Sequence, residues 1–81
     1  MSKKRLRSII EETFDCKLKN FELNTYLKKV PNWDSFNHIN LMVAIENEFN
    51  IEINPKEVEK ILKISDIIDL LKNNKKSVKN S

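Results

Sequence analysis

No glycine occurs anywhere in these 81 residues, and there is one cysteine, one histidine, one tryptophan and one tyrosine. Without glycine, neither a Gly-x-Gly-x-x-Gly turn nor a P-loop can form, so nucleotide chemistry by those routes is excluded. A lone cysteine, Cys16, cannot staple a thin core. It suits a reducing compartment and reads as a small, partly buried residue rather than a reactive thiol. No cluster of His, Cys or carboxylates has metal-ligand spacing, so no metal is expected. Long apolar runs are missing too. "MSKKRLRSII" carries positive charge with no apolar stretch behind it, so neither a signal peptide nor a membrane span is expected. These absences lead to an expectation of a cytoplasmic, monomeric chain with one domain over 1–81. Its ordered core covers about 4–72, and a basic tail covers about 73–81.

The formal net charge of +3 conceals a segregation. Lys3, Lys4, Arg5 and Arg7 stand at one end, and Lys72, Lys75, Lys76 and Lys79 at the other. Between 11 and 70, seven lysines face all twelve carboxylates, a surplus of five negative charges. The pI alone would suggest nucleic acid. An acidic body between basic ends argues against it, because the helices that could present a surface carry the acids.

Apolar spacing predicts an all-α chain. Leu6, Ile9, Ile10, Thr13 and Phe14 form one stripe over 4–14. A long connection follows over 15–33, anchored by Leu23, Tyr26, Leu27 and Val30, with a helical turn expected near 24–28. The next helix starts at Asp34 or Ser35. Phe36, Ile39, Leu41, Met42, Val43, Ile45 and Phe49 cover an arc of roughly 200° on it, which predicts burial against more than one neighbour. His38 and Glu46 interrupt that arc; Asn37, Asn40, Ala44, Asn47 and Glu48 are placed opposite. Asn54, Pro55 and Glu57 open a short third helix, with Val58, Ile61 and Leu62 facing inward. Ser65 and Asp66 open the last helix, with Ile67, Ile68, Leu70 and Leu71 inside. The fold expected is a small four-helix bundle with a long first connection and a short third helix.

Little here can do chemistry. Ser35 and His38 are three residues apart and can project to one side of a helix. A nucleophile pair still needs an orienting third group and an oxyanion pocket, so His38 reads instead as a residue at the edge of the apolar arc. Ser35 has two readings. As an N-cap, its replacement by alanine costs about 1 kcal/mol. If Asp34 caps, the hydroxyl stands free at the positive end of the helix dipole, where a phosphate ester is favoured.

The stretch "WDSFNHINLMVAIENEFNIEINPKEVEKILKISDIIDLL" resembles the acyl carrier proteins. Their Asp-Ser-Leu motif matches Asp34-Ser35-Phe36, their Glu-Glu-x-Phe matches Glu46-Asn47-Glu48-Phe49, and Ile51-Glu52-Ile53 follows in order. The match runs without a gap from 33 to about 71, and "LRSIIEETF" and "LNTYLKKV" fit the first helix and loop more loosely.

This resemblance implies a four-helix bundle of acyl-carrier type with no catalysis of its own. Ser35 would carry 4′-phosphopantetheine, transferred from coenzyme A by a separate Mg²⁺-dependent phosphopantetheinyl transferase, and Asp34 would assist loading. Phe36, Ile39, Val43, Ile53, Val58 and Ile61 would line an acyl cleft, or serve as ordinary core. The partners implied are acyl-activating and acyl-transferring enzymes. Asn37, Asn40 and Asn47 stand where fatty-acid carriers commonly have acids, and Lys56 and Lys60 add positive charge. Docking is therefore expected to depend less on salt. Trp33 and "NHINL" look more like stand-alone carriers of dedicated bacterial pathways such as surface polysaccharide or secondary-metabolite assembly. An aminoacyl or peptidyl carrier, a small helical nucleic-acid binder and a plain interaction bundle are the other readings.

Overall fold

A computed structural model describes the backbone of residues 3–79 and the side chains of residues 3–73. Among the described residues four α-helices follow in order: α1 (Lys3–Phe14), α2 (Ser35–Phe49), α3 (Pro55–Val58) and α4 (Ile64–Lys79). A 3₁₀ turn at Leu27–Lys29 lies in the first connection, slightly later than the turn expected near 24–28. Helix α4 opens at Ile64, a residue before the expected start, and its backbone stays helical to Lys79. The frayed tail expected from about 73 is thus helical at least to Lys79; its side chains from Asn74 onward, and residues 80–81, lie outside the described residues.

The core is entirely apolar among the described residues. Leu6, Ile9, Ile10 and Phe14 of α1 pack against Leu41, Met42 and Ile45 of α2, and Ile64, Ile67, Ile68 and Leu71 of α4 close the cluster. Leu27 and Val30 anchor the first connection as expected, whereas Leu23 and Tyr26 stay exposed. Leu62, expected inside, is also exposed, because α3 ends at Val58 and the chain turns there into α4.

The long connection is ordered by backbone pairing with the start of α4. Leu27 N–H donates to Leu62 O at 2.9 Å, Ile64 N–H to Thr25 O at 3.1 Å, and Ser65 N–H to Leu23 O at 2.9 Å. Tyr26 and Lys63 form an isolated antiparallel bridge. Asp66 Oδ2 accepts from the N–H groups of Leu62 and Lys63, both at 3.0 Å, which caps α4 from within its first turn.

Among the described residues, three take positive φ in a chain that has no glycine to do so: Asp15 (52°), Asn32 (68°) and Asn50 (55°). Asp and Asn tolerate this region because their short polar side chains bond locally. Asn50 ends α2, where its own N–H and that of Ile51 both donate to Glu46 O. Asn32 Nδ2 donates to Phe14 O at 2.7 Å, so one side chain both makes a turn and satisfies an orphan carbonyl at the end of α1.

Glu11 secures the exit from α1. Its Oε2 accepts from Leu18 N–H at 2.8 Å and from Arg7 Nε at 3.5 Å, while Arg7 Nη2 donates to Leu18 O. The Leu18 N–H holds the Glu11 carboxyl below its ordinary range, against an opposing push from burial and with help from Arg7 and Lys17. Burial pushes the neighbouring Cys16 thiol up, and the charges of Glu11 and Asp15 add to that effect, so little thiolate forms at neutral pH.

A carboxyl whose folded pKa is depressed stabilises the fold above its unfolded pKa, and that stability is lost as pH falls through the folded value. Glu11→Gln therefore lowers the melting temperature at neutral pH and shrinks the drop on acidification, as read by circular dichroism. Asn50→Ala leaves the left-handed position to a side chain with no polar group to bond locally and costs about 1 kcal/mol, measured as a lower urea midpoint at unchanged m-value.

Candidate functional site at the start of the second helix

Asp34 sits in extended backbone (φ −156°, ψ 176°), and its Oδ1 accepts from Asn37 N–H at 2.7 Å. Its carbonyl accepts the first helical bond, from His38 N–H at 2.9 Å. Asp34 is therefore the N-cap of α2, and the cap reading of Ser35 is not the one adopted. Ser35 is the first helical residue and is exposed. Its hydroxyl stands outside the cap at the positive end of a 15-residue helix.

Three groups lock this corner in place: Trp33, His38 and the Val58 carbonyl. Trp33 Nε1 donates to His38 Nδ1 at 3.3 Å, and the two rings meet edge-on with centroids 5.9 Å apart. His38 Nε2 lies 3.0 Å from Val58 O. Neutral imidazole satisfies both contacts in one tautomer, with Nδ1 accepting and Nε2–H donating. Helix α2 is thereby tied to the end of α3 and to the residue before the cap. Both ring nitrogens are engaged, so His38 is not available as a base for Ser35. A Trp and a His five residues apart across a helix start were the only advance sign.

Helix α2 buries far less than expected. Leu41, Met42, Ile45 and the half-buried Phe49 face inward, within an arc of about 100° at 100° per residue. Phe36, Ile39 and Val43 are 72%, 56% and 47% exposed. They share the outer face with Asn40 and Asn47, contrary to the expected separation of apolar and amide faces. The six residues expected to line one cleft are thus divided. Phe36, Ile39 and Val43 face out, Ile53 and Ile61 are buried in the core, and Val58 is half-buried.

The two acids of this helix are both engaged within the fold. Glu46 Oε2 accepts from Ile53 N–H at 2.7 Å. Glu48 Oε2 pairs with Arg5 Nε at 2.7 Å, and the same guanidinium lies 5.9 Å from the Phe49 ring centroid.

Fold and site together define a class of small helical bundles that present a serine hydroxyl at the tip of a central helix. Several known proteins are similar to this one. The chain is 38% identical over 42 residues to the acyl carrier protein of Helicobacter pylori and to that of Thermosynechococcus vestitus, segments covering 52% of this chain. Those alignments span about half of each relative, 54% and 52%. Against the acyl carrier protein of Buchnera aphidicola the identity is 30% over 69 residues, 85% of this chain and 88% of the relative. Among solved structures, the crystal structure of the Thermotoga maritima acyl carrier protein superposes with a TM-score of 0.82 at 25% identity, covering 93% of this chain and 87% of that one. The solution structure of the holo acyl carrier protein of Geobacter metallireducens gives 0.83 at 25% identity, covering 95% and 88%. No family profile matches the chain. The chain belongs to the acyl carrier protein family.

The division of labour at the cap is measurable. Asp34→Ala should cost about 1 kcal/mol, whereas Ser35→Ala should stay within about 0.5 kcal/mol, as for other surface changes. Urea denaturation of both variants checks this. Equal losses would return the cap to Ser35.

Proposed function

We propose that this chain is a carrier without catalysis of its own, which holds an acyl intermediate on 4′-phosphopantetheine attached to Ser35 Oγ and presents it to partner enzymes. The observation that carries the reading is an exposed serine freed from capping by Asp34, in a member of this family. The site suits a phosphodiester: the hydroxyl is open to solvent, and the helix end favours negative charge. When bound, the group supplies a terminal thiol that holds cargo as a thioester.

The chain's own residues do the positioning. Asp34 caps α2 and fixes where Ser35 stands, and by family resemblance it also assists the phosphopantetheinyl transferase. Trp33 and His38 hold the cap against α3, so the attachment point does not drift as the arm moves. A flexible tether then gives the cargo a high effective concentration at each enzyme visited. No helix among the described residues is long and apolar enough to cross a membrane, in keeping with work in the cytoplasm.

The outer face of α2 suggests what docks there. Its exposed residues are apolar (Phe36, Ile39, Val43) or amide (Asn40, Asn47), with half-buried Asn37 beside them, and the two carboxylates of the helix are engaged by Ile53 N–H and Arg5. Such a face does not steer a basic patch over long range. Partners should be acyl-activating and acyl-transferring enzymes of a dedicated bacterial pathway rather than those of general fatty-acid synthesis. At the basic N-terminal end, Arg5 and Arg7 are tied to Glu48, Glu11 and Leu18, which does not favour a nucleic-acid surface.

Coexpression with a phosphopantetheinyl transferase followed by intact-mass spectrometry should show one added arm, absent from Ser35→Ala. An unmodified wild type would reject the reading. The rate of loading should change little with added salt, and a steep fall would reject the uncharged docking face. An amino-acid-activating enzyme that loads the chain would point to aminoacyl cargo instead.

A further inference from the structure

The tie between Trp33 and His38 holds in only one protonation state of the imidazole. Nδ1 accepts the Trp33 indole N–H at 3.3 Å, so it must carry no proton. Nε2 then bears the single proton of the neutral ring and donates to Val58 O at 3.0 Å. A second proton would put an N–H on Nδ1, and two donors would face each other. The bond to Val58 O survives and gains charge, because Nε2 donates in both states. Protonation is therefore selective: α2 stays fastened to the end of α3, and Trp33 is let go.

No ring attraction makes up for the lost bond. The indole turns its N–H rim to His38, and the rim is the positive side of an aromatic ring. A cation gains only over the face, where Lys28 Nζ already lies, 5.9 Å from the Trp33 centroid. The other ionisable groups around this corner are Tyr26 on the first connection, Asp34 at the cap and Glu59 just after α3. Asp34 Oδ1 is taken by Asn37 N–H. Both ring nitrogens of His38 bond uncharged partners, so the imidazole's own proton decides whether Trp33 is held.

Trp33 directly precedes the cap residue Asp34, and Ser35 directly follows it. In loading, Ser35 Oγ attacks the β-phosphorus of coenzyme A. An O–P bond forms, the pyrophosphate link breaks, the bisphosphorylated adenosine leaves and the hydroxyl proton passes to the transferase. Misplacing a reacting group by about 1 Å can cost about a hundredfold in rate. We propose, on the strength of the carrier reading, that Trp33 and His38 are positioning residues for the loading of Ser35 and form a proton-gated clasp, closed while His38 is neutral and open when it is protonated. Arm attachment then slows as the surroundings acidify.

Trp33 is the sole tryptophan, so the protein before loading shows a single indole N–H resonance. Between about pH 8 and 5, where an imidazole ordinarily changes charge, that resonance should move upfield and exchange faster with water, in step with the His38 ring signals. In His38→Gln, which cannot titrate, it should stay still over the same range. The second arm of the experiment loads the chain with coenzyme A, Mg²⁺ and one phosphopantetheinyl transferase, read by intact mass. The wild-type rate divided by that of Trp33→Phe cancels the transferase's own pH dependence. This ratio should stand several-fold above one at the alkaline end and fall close to one at the acid end, with both variants folded by circular dichroism. An indole resonance that ignores the His38 titration, or a ratio flat with pH, would overturn the proposal and leave the carrier reading intact. Failure of Ser35 to load at any pH would overturn both.

Discussion

Three backbone hydrogen bonds between 23–27 and 62–65 decide where everything else can stand. The first connection is too long to be fixed by its ends, and loops of that length need packing or pairing of their own. Pairing with the start of α4 supplies it. The same contacts place Tyr26 beside Lys63, whose ammonium lies 5.4 Å from the ring centroid. They also seat Leu27 and Val30 in the core. Downstream, the 3₁₀ turn and Asn32 deliver Trp33 and Asp34 to the head of α2. The serine's position is therefore set jointly by α1, through the Asn32–Phe14 bond, and by α4, through the pairing.

Helix α2 then has two jobs on opposite sides. Inward, a narrow aliphatic stripe locks against α1. Outward, it exposes more apolar surface than a monomer's surface helix would need for packing. Isolated exposed apolar side chains are unremarkable, but three on consecutive turns of one face mark a surface meant for contact. The helix carries its carboxylates at Glu46 and Glu48, where they hold Ile53 and Arg5 instead of projecting free charge.

Helix starts were legible in the sequence because caps are local. Asp34, and Asn54 ahead of Pro55, announce α2 and α3 in a few residues, and both side chains accept the bonds expected of them. The stripes of α1 and α4 were legible for the same reason. Exposure on α2 was not. A 200° apolar arc says that a helix could bury a wide face, yet only the placement of neighbours decides how much is covered, and α3 is a single turn. Ser35 and Asp34 could be picked out from a three-residue motif. The Trp33–His38–Val58 chain joins positions up to 25 residues apart, and no local pattern foretells it. The pairing of the first connection was hidden likewise, since it involves backbone atoms that every residue possesses.

The missing glycine leaves its trace in the denatured chain. Every residue here carries a β-carbon, so the unfolded ensemble has fewer states to surrender than that of an ordinary domain, by about 0.4–1 kcal/mol for each glycine avoided. Against this, Asp15, Asn32 and Asn50 must each be held in a left-handed conformation that a glycine would have taken without strain. Asn32 and Asn50 offset that strain with carbonyls satisfied at the ends of α1 and α2. A thin aliphatic core can hold this bundle together partly because its competitor, the disordered chain, is unusually stiff.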